Sequence, residues 1–394
     1  MNKGGAKVKY KICYVTTLPN TLRFFLLDSV KYLFDKNEFD ITLICDETDG
    51  FINEIPKGVK YIPVKMKRGF SATGIKSTID LYRIFKKEQF DLVQYSTSNA
   101  GCYASIAACA ARIPIRLYGQ WGLDYPHLKG IKKFVFETIE RVICSNSTHI
   151  QPDSYDNLEL SVREKLYSRS KGDVVWHGSA SGVDLKRFDI KKKDCWRKEI
   201  REQFSIPEDA FVFGYVGRLL GQKGINELID SVKQLFSDSG DTFLLLVGDP
   251  NNTEGVNPQK LNWANENKRV IFAGFTSCPE KYYAAMDCFV FPSYHEGFGT
   301  AIIEAEAMGV PVIATDIPGP REAISNGQTG VLVASKNTEQ LYIAMRDKYD
   351  DQEKTKEQGK NAVNYVKNNF EQSQLFEHIY LNRIELLQKY GRGV

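Results

Sequence analysis

No two of the eight cysteines are spaced C-x-x-C, which argues against a zinc ribbon or a thioredoxin-type redox site. Several, among them Cys13, Cys45 and Cys288, sit inside apolar runs, the pattern of buried free thiols in a reducing compartment. No stretch reaches the roughly 18 apolar residues of a spanning helix. The longest candidate, ASIAACAA, is short and built of small residues. The basic start MNKGGAKVKYKICYVTT has too short an apolar run for a signal peptide, so the expectation is a cytoplasmic protein. A large excess of either charge is also lacking. The net charge is +3 and the pI about 8.2, short of the clustered basicity of a nucleic-acid binder. That balance suits an anionic small ligand or an anionic membrane surface. No Asp-x-Asp triplet occurs, the carboxylate pair that often holds the metal ion of a nucleotide diphosphate. Internal repeats and low-complexity tracts are absent.

What is there is ordinary globular composition, 42% hydrophobic and 26% charged, over 394 residues. At roughly 150 residues per domain that length predicts two domains. Short apolar, β-branched runs alternate with helical-period segments. Six such runs precede residue 180: KICYVTT, FDITLICD, VKYIPVK, FDLVQYS, IRLYGQ and VVWHGS. Six follow residue 210: FVFGYVG, TFLLLVGD, RVIFAGF, CFVFPS, VPVIATD and GVLVA. Near-continuous apolar strands between helices imply parallel sheets covered on both faces. The fold class is therefore α/β, two doubly wound domains in tandem. The polar, basic stretch from Gly182 onward places the boundary at 190, giving domains 1–190 and 191–369. Residues 370–394, with Leu375, Phe376, Ile379, Leu381, Ile384 and Leu387 at helical spacing, predict a helix packing back on the first domain.

The densest cluster of signals is PSYHEGFGTAIIEAEAMGVPVIATDIPGPREAI, residues 292–324. A strand feeds a loop, then a helix starting near Thr300. Ligands of open α/β sheets bind outside the carboxyl ends of the strands. The unpaired N–H groups of a helix's first turn favour a phosphate there. Gly297 and Gly299 allow close approach to the backbone. Glu296 on the loop and Glu304 on the helix would reach different parts of one ligand. A second strand-to-loop passage, FVFGYVGRLLGQKG, carries Gly217, Arg218 and Lys223. A diphosphate between those cations and the helix N-terminus would be neutralised without a metal, Arg218 binding bidentately and Lys223 as a point charge.

These residues resemble glycosyltransferase family four, with its two-domain GT-B architecture. The matching segments are VGRLLGQKG, LLLVGD, IFAGF, PSYHEGFGTAIIEAEAMGVPVIATD and GPREAI. The E-x7-E element is the most specific of them. GSASGVDLKRF resembles the family's interdomain element, and the N-terminal half matches more loosely, as an acceptor-binding domain does. The resemblance implies two Rossmann-like domains with a cleft between them and retaining transfer from a nucleotide sugar, with UDP the expected nucleotide. It implies that Arg218 and Lys223 bind the diphosphate and that Glu296 sits beside the donor sugar. Phe298, Gly299 and Thr300 would line sugar and phosphate with backbone groups. Glu304 would hydrogen-bond the ribose, and Gly274 and Phe275 would pack near the base. No metal or cofactor is implied. The turn TTLPNT lacks the family's paired glycines. Gln120 and Trp121, with His127 nearby, stand where many members carry a histidine, so His127 reads as a loop residue. His295 reads as shaping its loop.

TLRFFLLDSVKYL, RIPIRLYGQWGLDY and GSASGVDLKRF resemble bacterial surface-polysaccharide enzymes, capsule and lipopolysaccharide among them. Members of that kind move a hexose or N-acetylhexosamine to a glycan or polyprenyl-diphosphate-linked acceptor. Two basic-aromatic segments, residues 65–87 and 127–142, are compatible with docking on the inner face of an anionic membrane. Two other readings share the sequence features: a sugar-nucleotide epimerase of the same architecture, and a non-catalytic sugar-nucleotide-binding subunit.

Overall fold

A computed structural model of the chain describes residues 9–47, 50–66, 72–123, 125–126 and 128–391. It divides into two compact units, one of Met1–Ser181 with Ser373–Val394, the other of Gly182–Gln372.

The N-terminal unit is built on strands β1 (Tyr10–Val15), β2 (Phe39–Cys45), β3 (Lys60–Pro63), β4 (Leu92–Ser96), β5 (Ile115–Gln120) and β6 (His149–Pro152). Their order is β3-β2-β1-β4-β5-β6, and every pairing is parallel. Every residue of β4 is buried, and all of β2 but Asp40. That double-sided burial is why these strands read as apolar runs rather than as alternations. The C-terminal unit repeats the plan with β7 (Phe211–Val216), β8 (Thr242–Val247), β9 (Val270–Gly274), β10 (Cys288–Phe291), β11 (Val312–Thr315) and β12 (Gly330–Val333). Its order is β12-β11-β10-β7-β8-β9, again all parallel. In each sheet the chain winds outward over three strands and then returns to the other side of the first. The winding therefore reverses between β1 and β4 in one unit and between β7 and β10 in the other. Such reversals open a crevice at the strands' carboxyl ends.

One predicted strand is absent. VVWHGS is a loop, with left-handed backbone at Trp176 (φ 53°), Gly178 (φ 90°) and Ser179 (φ 69°). Trp176 instead stacks on His378, ring centroids 5.3 Å apart. The sixth strand is β6, the sequence HIQP, which has a single aliphatic residue and gives no apolar run. The first break between units falls after Ser181, not at 190. The cause is backbone pairing: Val183 N donates to Phe370 O (2.9 Å) and Gln372 N to Val183 O (3.0 Å). That ties residues 182–190 to the second unit. The second break, after Gln372, is set by the same pairing. Of the cysteines, Cys109, Cys195 and Cys278 are exposed and the other five buried.

The helix Gln372–Tyr390 contributes Leu386 and Leu387 to the N-terminal unit's core beside Ile12, Tyr14 and Phe39. Glu377 pairs with Lys36 at 2.6 Å and Tyr380 OH donates to Glu38 (2.9 Å). Apolar positions from this helix thus complete a core in which β1 and β2 lie more than three hundred residues earlier.

Candidate functional site

The reversal between β7 and β10 positions two loops. After β7 the chain passes Gly217 and the exposed Arg218, makes a short turn over Gly221–Lys223, and enters the helix Ile225–Asp238 through Gly224. After β10 it runs through Tyr294, His295 and Glu296 into the helix Thr300–Ala307, capped by Gly299. The two loops are fastened together. Tyr294 N donates to Gln222 O (3.1 Å), and Tyr294 OH donates to Glu227 at 2.7 Å. Gly224 has φ 75°, and a Cβ there would lie 2.1 Å from Pro292 O. Only glycine lets the loops approach this closely.

Lys223 and Glu296 meet across this junction. Lys223 Nζ donates to Glu296 Oε1 at 2.5 Å, and the two side chains are 13% and 16% exposed. Arg218 is exposed and forms no ion pair among the described residues. One side chain of each loop is thus committed to the other, while a second cation, Arg218, is exposed five positions before Lys223 on the same loop. Gly299, in the left-handed region (φ 91°), caps Thr300–Ala307 on the loop that carries Glu296. Phe298 itself is 2% exposed and packs on Phe370, ring centroids 5.2 Å apart. Its side chain is core, so only its backbone can serve a ligand. Gly274 ends β9 with φ 78°, and the adjacent Phe275 is 76% exposed.

Glu304 lies one turn into the helix. Tyr283 OH donates to Glu304 Oε2 at 3.0 Å. Burial pushes the Glu304 carboxyl up to about 7, against the lowering effect of Tyr283's hydrogen bond and of Arg187. Arg187 in turn pairs with Glu280 at 2.9 Å and donates to Ser277 O (2.6 Å). Tyr283 was not singled out in the sequence: it lies on Pro279–Ala285, and only the tertiary fold brings it to Glu304. The second residue after Glu304 behaves differently. Glu306 is 0% exposed, and burial raises its carboxyl well above the ordinary range. A raised carboxyl contributes no penalty below the unfolded value. It weakens the fold progressively as pH rises from there toward the folded value. Glu306→Gln is expected to raise stability at pH 8 and to flatten its pH dependence above pH 5, read from urea unfolding at several pH values.

His127 lies outside the described residues, as do 67–71 of the first basic-aromatic segment. Gln120 is buried and bound to Glu140 (2.5 Å), Ser161 (3.0 Å) and Tyr167 (3.0 Å), a packing role inside its own unit.

Residues 197–365 match the family described as glycosyl transferases group 1, and residues 11–154 match that described as glycosyl transferase 4-like. The chain belongs to this glycosyltransferase family. It is 29% identical over 374 residues to the capsular polysaccharide biosynthesis glycosyltransferase CapM of Staphylococcus aureus, covering 94% of this chain and 95% of that protein. It is 27% identical over 379 residues to an Escherichia coli UDP-Gal:α-D-GlcNAc-diphosphoundecaprenol α-1,3-galactosyltransferase, covering 92% and 93%. Among solved structures, Anabaena Alr3699/HepE in complex with UDP superposes with a TM-score of 0.75 at 19% identity, over 95% of this chain and all of that one. That likeness establishes the fold, two Rossmann-like domains of the GT-B type. The chain's homologues are glycosyltransferases of bacterial polysaccharide biosynthesis.

Proposed function

We propose that the chain is a retaining glycosyltransferase that moves a hexose or N-acetylhexosamine from a UDP-sugar to a glycan or polyprenyl-diphosphate-linked acceptor in polysaccharide assembly. The observation that carries this reading is the Lys223–Glu296 contact at 2.5 Å, with Arg218 exposed on the same loop as Lys223, at the reversal of the C-terminal sheet. A diphosphate there meets two cations and the N-terminus of a helix. Glu304 accepts from the ribose hydroxyls, and Gly274 and Phe275 flank the base. The anomeric carbon–oxygen bond breaks, and its electron pair goes to the diphosphate. The acceptor oxygen bonds the same face of that carbon, and its proton passes to the departing phosphate oxygen. Glu296 stabilises the positive charge that develops on the sugar between the two events. The protein's contribution is a fixed electrostatic frame, with neutralisation assigned to Arg218, Lys223 and the helix rather than to a metal ion. The names of the Staphylococcus and Escherichia relatives support this choice of process, donor nucleotide and acceptor class.

A donor screen tests it. The protein is incubated with UDP-, GDP- and ADP-sugars, with and without EDTA, and a membrane-lipid extract as acceptor. Acceptor-dependent UDP release from one sugar, unchanged by EDTA, is expected. Sugar-nucleotide interconversion without acceptor would indicate an epimerase, and binding without turnover a binding subunit.

The acceptor class fits a further feature of the N-terminal unit. Along the helix Gly130–Asn146, Ile131 and Phe134 are 79% and 70% exposed, among Lys129, Lys132 and Lys133. On the helix Ala72–Glu88, Ile75 is 68% exposed beside Lys76. Apolar side chains ringed by lysine suit the headgroup region of an anionic bilayer. Ile131→Glu/Phe134→Glu is expected to reduce sedimentation with phosphatidylglycerol vesicles by about tenfold or more, with UDP binding unchanged. No helix among the described residues is long and apolar enough to cross a membrane.

A further inference from the structure

The N-terminal unit has its own crevice, at the reversal between β1 and β4, and a recess opens there that the donor reading does not use. It is lined by Tyr14 of β1, Gln94 of β4, Gln151 of β6, Trp121 and Asp153 just past β5 and β6, and Arg383 of the helix Gln372–Tyr390. Arg383 is 3% exposed. Its Nη1 donates to Gln151 Oε1 (2.8 Å) and Asn382 Oδ1 (2.5 Å), and its Nη2 to Gln94 Oε1 (3.0 Å). All three acceptors are neutral amide oxygens. Asp173 is reached only through Asn382, whose Nδ2 donates to it at 3.3 Å. Among the described residues Nε has no hydrogen-bond acceptor.

A buried guanidinium without a carboxylate partner is costly. The fold nevertheless holds Arg383 on a frame of amides and Tyr14, oriented but not neutralised. The remaining space is about 40 Å³. At roughly 10–15 Å³ per water-sized group, that admits about three such groups, the size of a carboxylate. Asp153, 6% exposed, is the carboxylate on the lining, and it already accepts from Asn157 Nδ2 (3.4 Å). Its charge disfavours a dianion and offers an acceptor to a neighbouring hydroxyl. Trp121, its ring 5.2 Å from that of Phe25, presents an apolar wall to a sugar ring.

We propose that this recess is a subsite for the carboxylate of a uronic-acid-type sugar in the acceptor glycan. Its place in an acceptor rests on the glycosyltransferase reading; its preference for a sugar carboxylate does not. The guanidinium takes the carboxylate within the recess, and Trp121 covers the face of the ring that carries it.

The test is calorimetric titration of the full chain with glucuronate, glucose and inorganic phosphate, each also against UDP as a separate ligand. Glucuronate is expected to bind at least about tenfold more tightly than glucose or phosphate, and Arg383→Gln to lose that binding. Gln151→Glu, nearly isosteric, sets a carboxylate against Arg383. It is expected to lose glucuronate binding while unfolding at or above the parent's temperature and keeping UDP binding, so that loss of fold is not the cause. Glucuronate binding no stronger than glucose, stronger binding of phosphate, or binding unaffected by both variants overturns the proposal. A parent protein that binds glucuronate but no UDP would support this subsite and remove the donor reading.

Discussion

Glu296→Gln is expected to bind UDP about three- to tenfold more tightly than the parent while its transfer rate falls by about a hundred- to a thousandfold. The opposed directions follow from one contact. In the free protein Lys223 is engaged by Glu296 at 2.5 Å, with both side chains largely out of solvent. In the proposed function an incoming diphosphate takes over the lysine beside the glutamate's negative charge. Neutralising Glu296 removes both obstacles, so a product that carries no sugar gains affinity. The transition state loses, because the group that faces the developing positive charge is no longer an anion. Calorimetry with UDP and initial rates with the donor identified by the screen separate the two effects. A variant that lost both together would mean that Glu296 mainly holds the loop in place.

Lys223→Ala should act in the other direction on binding, weakening UDP-sugar affinity by about ten- to a hundredfold. It deletes one of the two cations assigned to the diphosphate and leaves Glu296 confronting that diphosphate uncompensated. Part of the loss therefore belongs to the orphaned glutamate rather than to the missing lysine. Lys223→Ala/Glu296→Gln should recover that part, binding UDP more tightly than Lys223→Ala alone. The recovery, read as a double-mutant cycle, is expected at about 0.5–3 kcal/mol, the range for charged groups in contact. Exact additivity would mean that the 2.5 Å contact carries no energetic coupling.

A third expectation concerns pH. Glu304 accepts from Tyr283 in a setting that pushes its carboxyl up to about 7. If it accepts from the ribose as an anion, UDP affinity should fall by several-fold as pH drops from 8 through 7. Glu304→Gln should bind more weakly at pH 8 and show no such limb in a titration series.

The C-terminal unit was nearly transparent in its sequence. Each of β7 to β12 is an apolar run bounded by glycine, proline or aspartate, and the loops after β7 and β10 carry their charged residues within a few positions of a glycine that the backbone requires. The N-terminal unit was less so. VVWHGS looks like a strand by composition, but its backbone turns left-handed at three residues and its tryptophan finds His378. HIQP looks like nothing, because its central residue is a glutamine whose amide holds Arg383 from a helix 232 positions later. Strand periodicity reports burial against apolar neighbours, so a strand that buries a polar network escapes it. The same limit hid Tyr283. Loop chemistry that is local in sequence can be read there, and side chains that gain a role from a distant partner cannot.

In the proposed function the reversal between β7 and β10 holds the nucleotide diphosphate. Hydrogen exchange of the full chain with and without UDP tests it directly. Slowed exchange is expected at 217–224 and 294–304, centred on Lys223 and the first turn of Thr300–Ala307, with little change in β1 to β6. Protection confined to the N-terminal unit, or absent from both loops at saturating UDP, would contradict it.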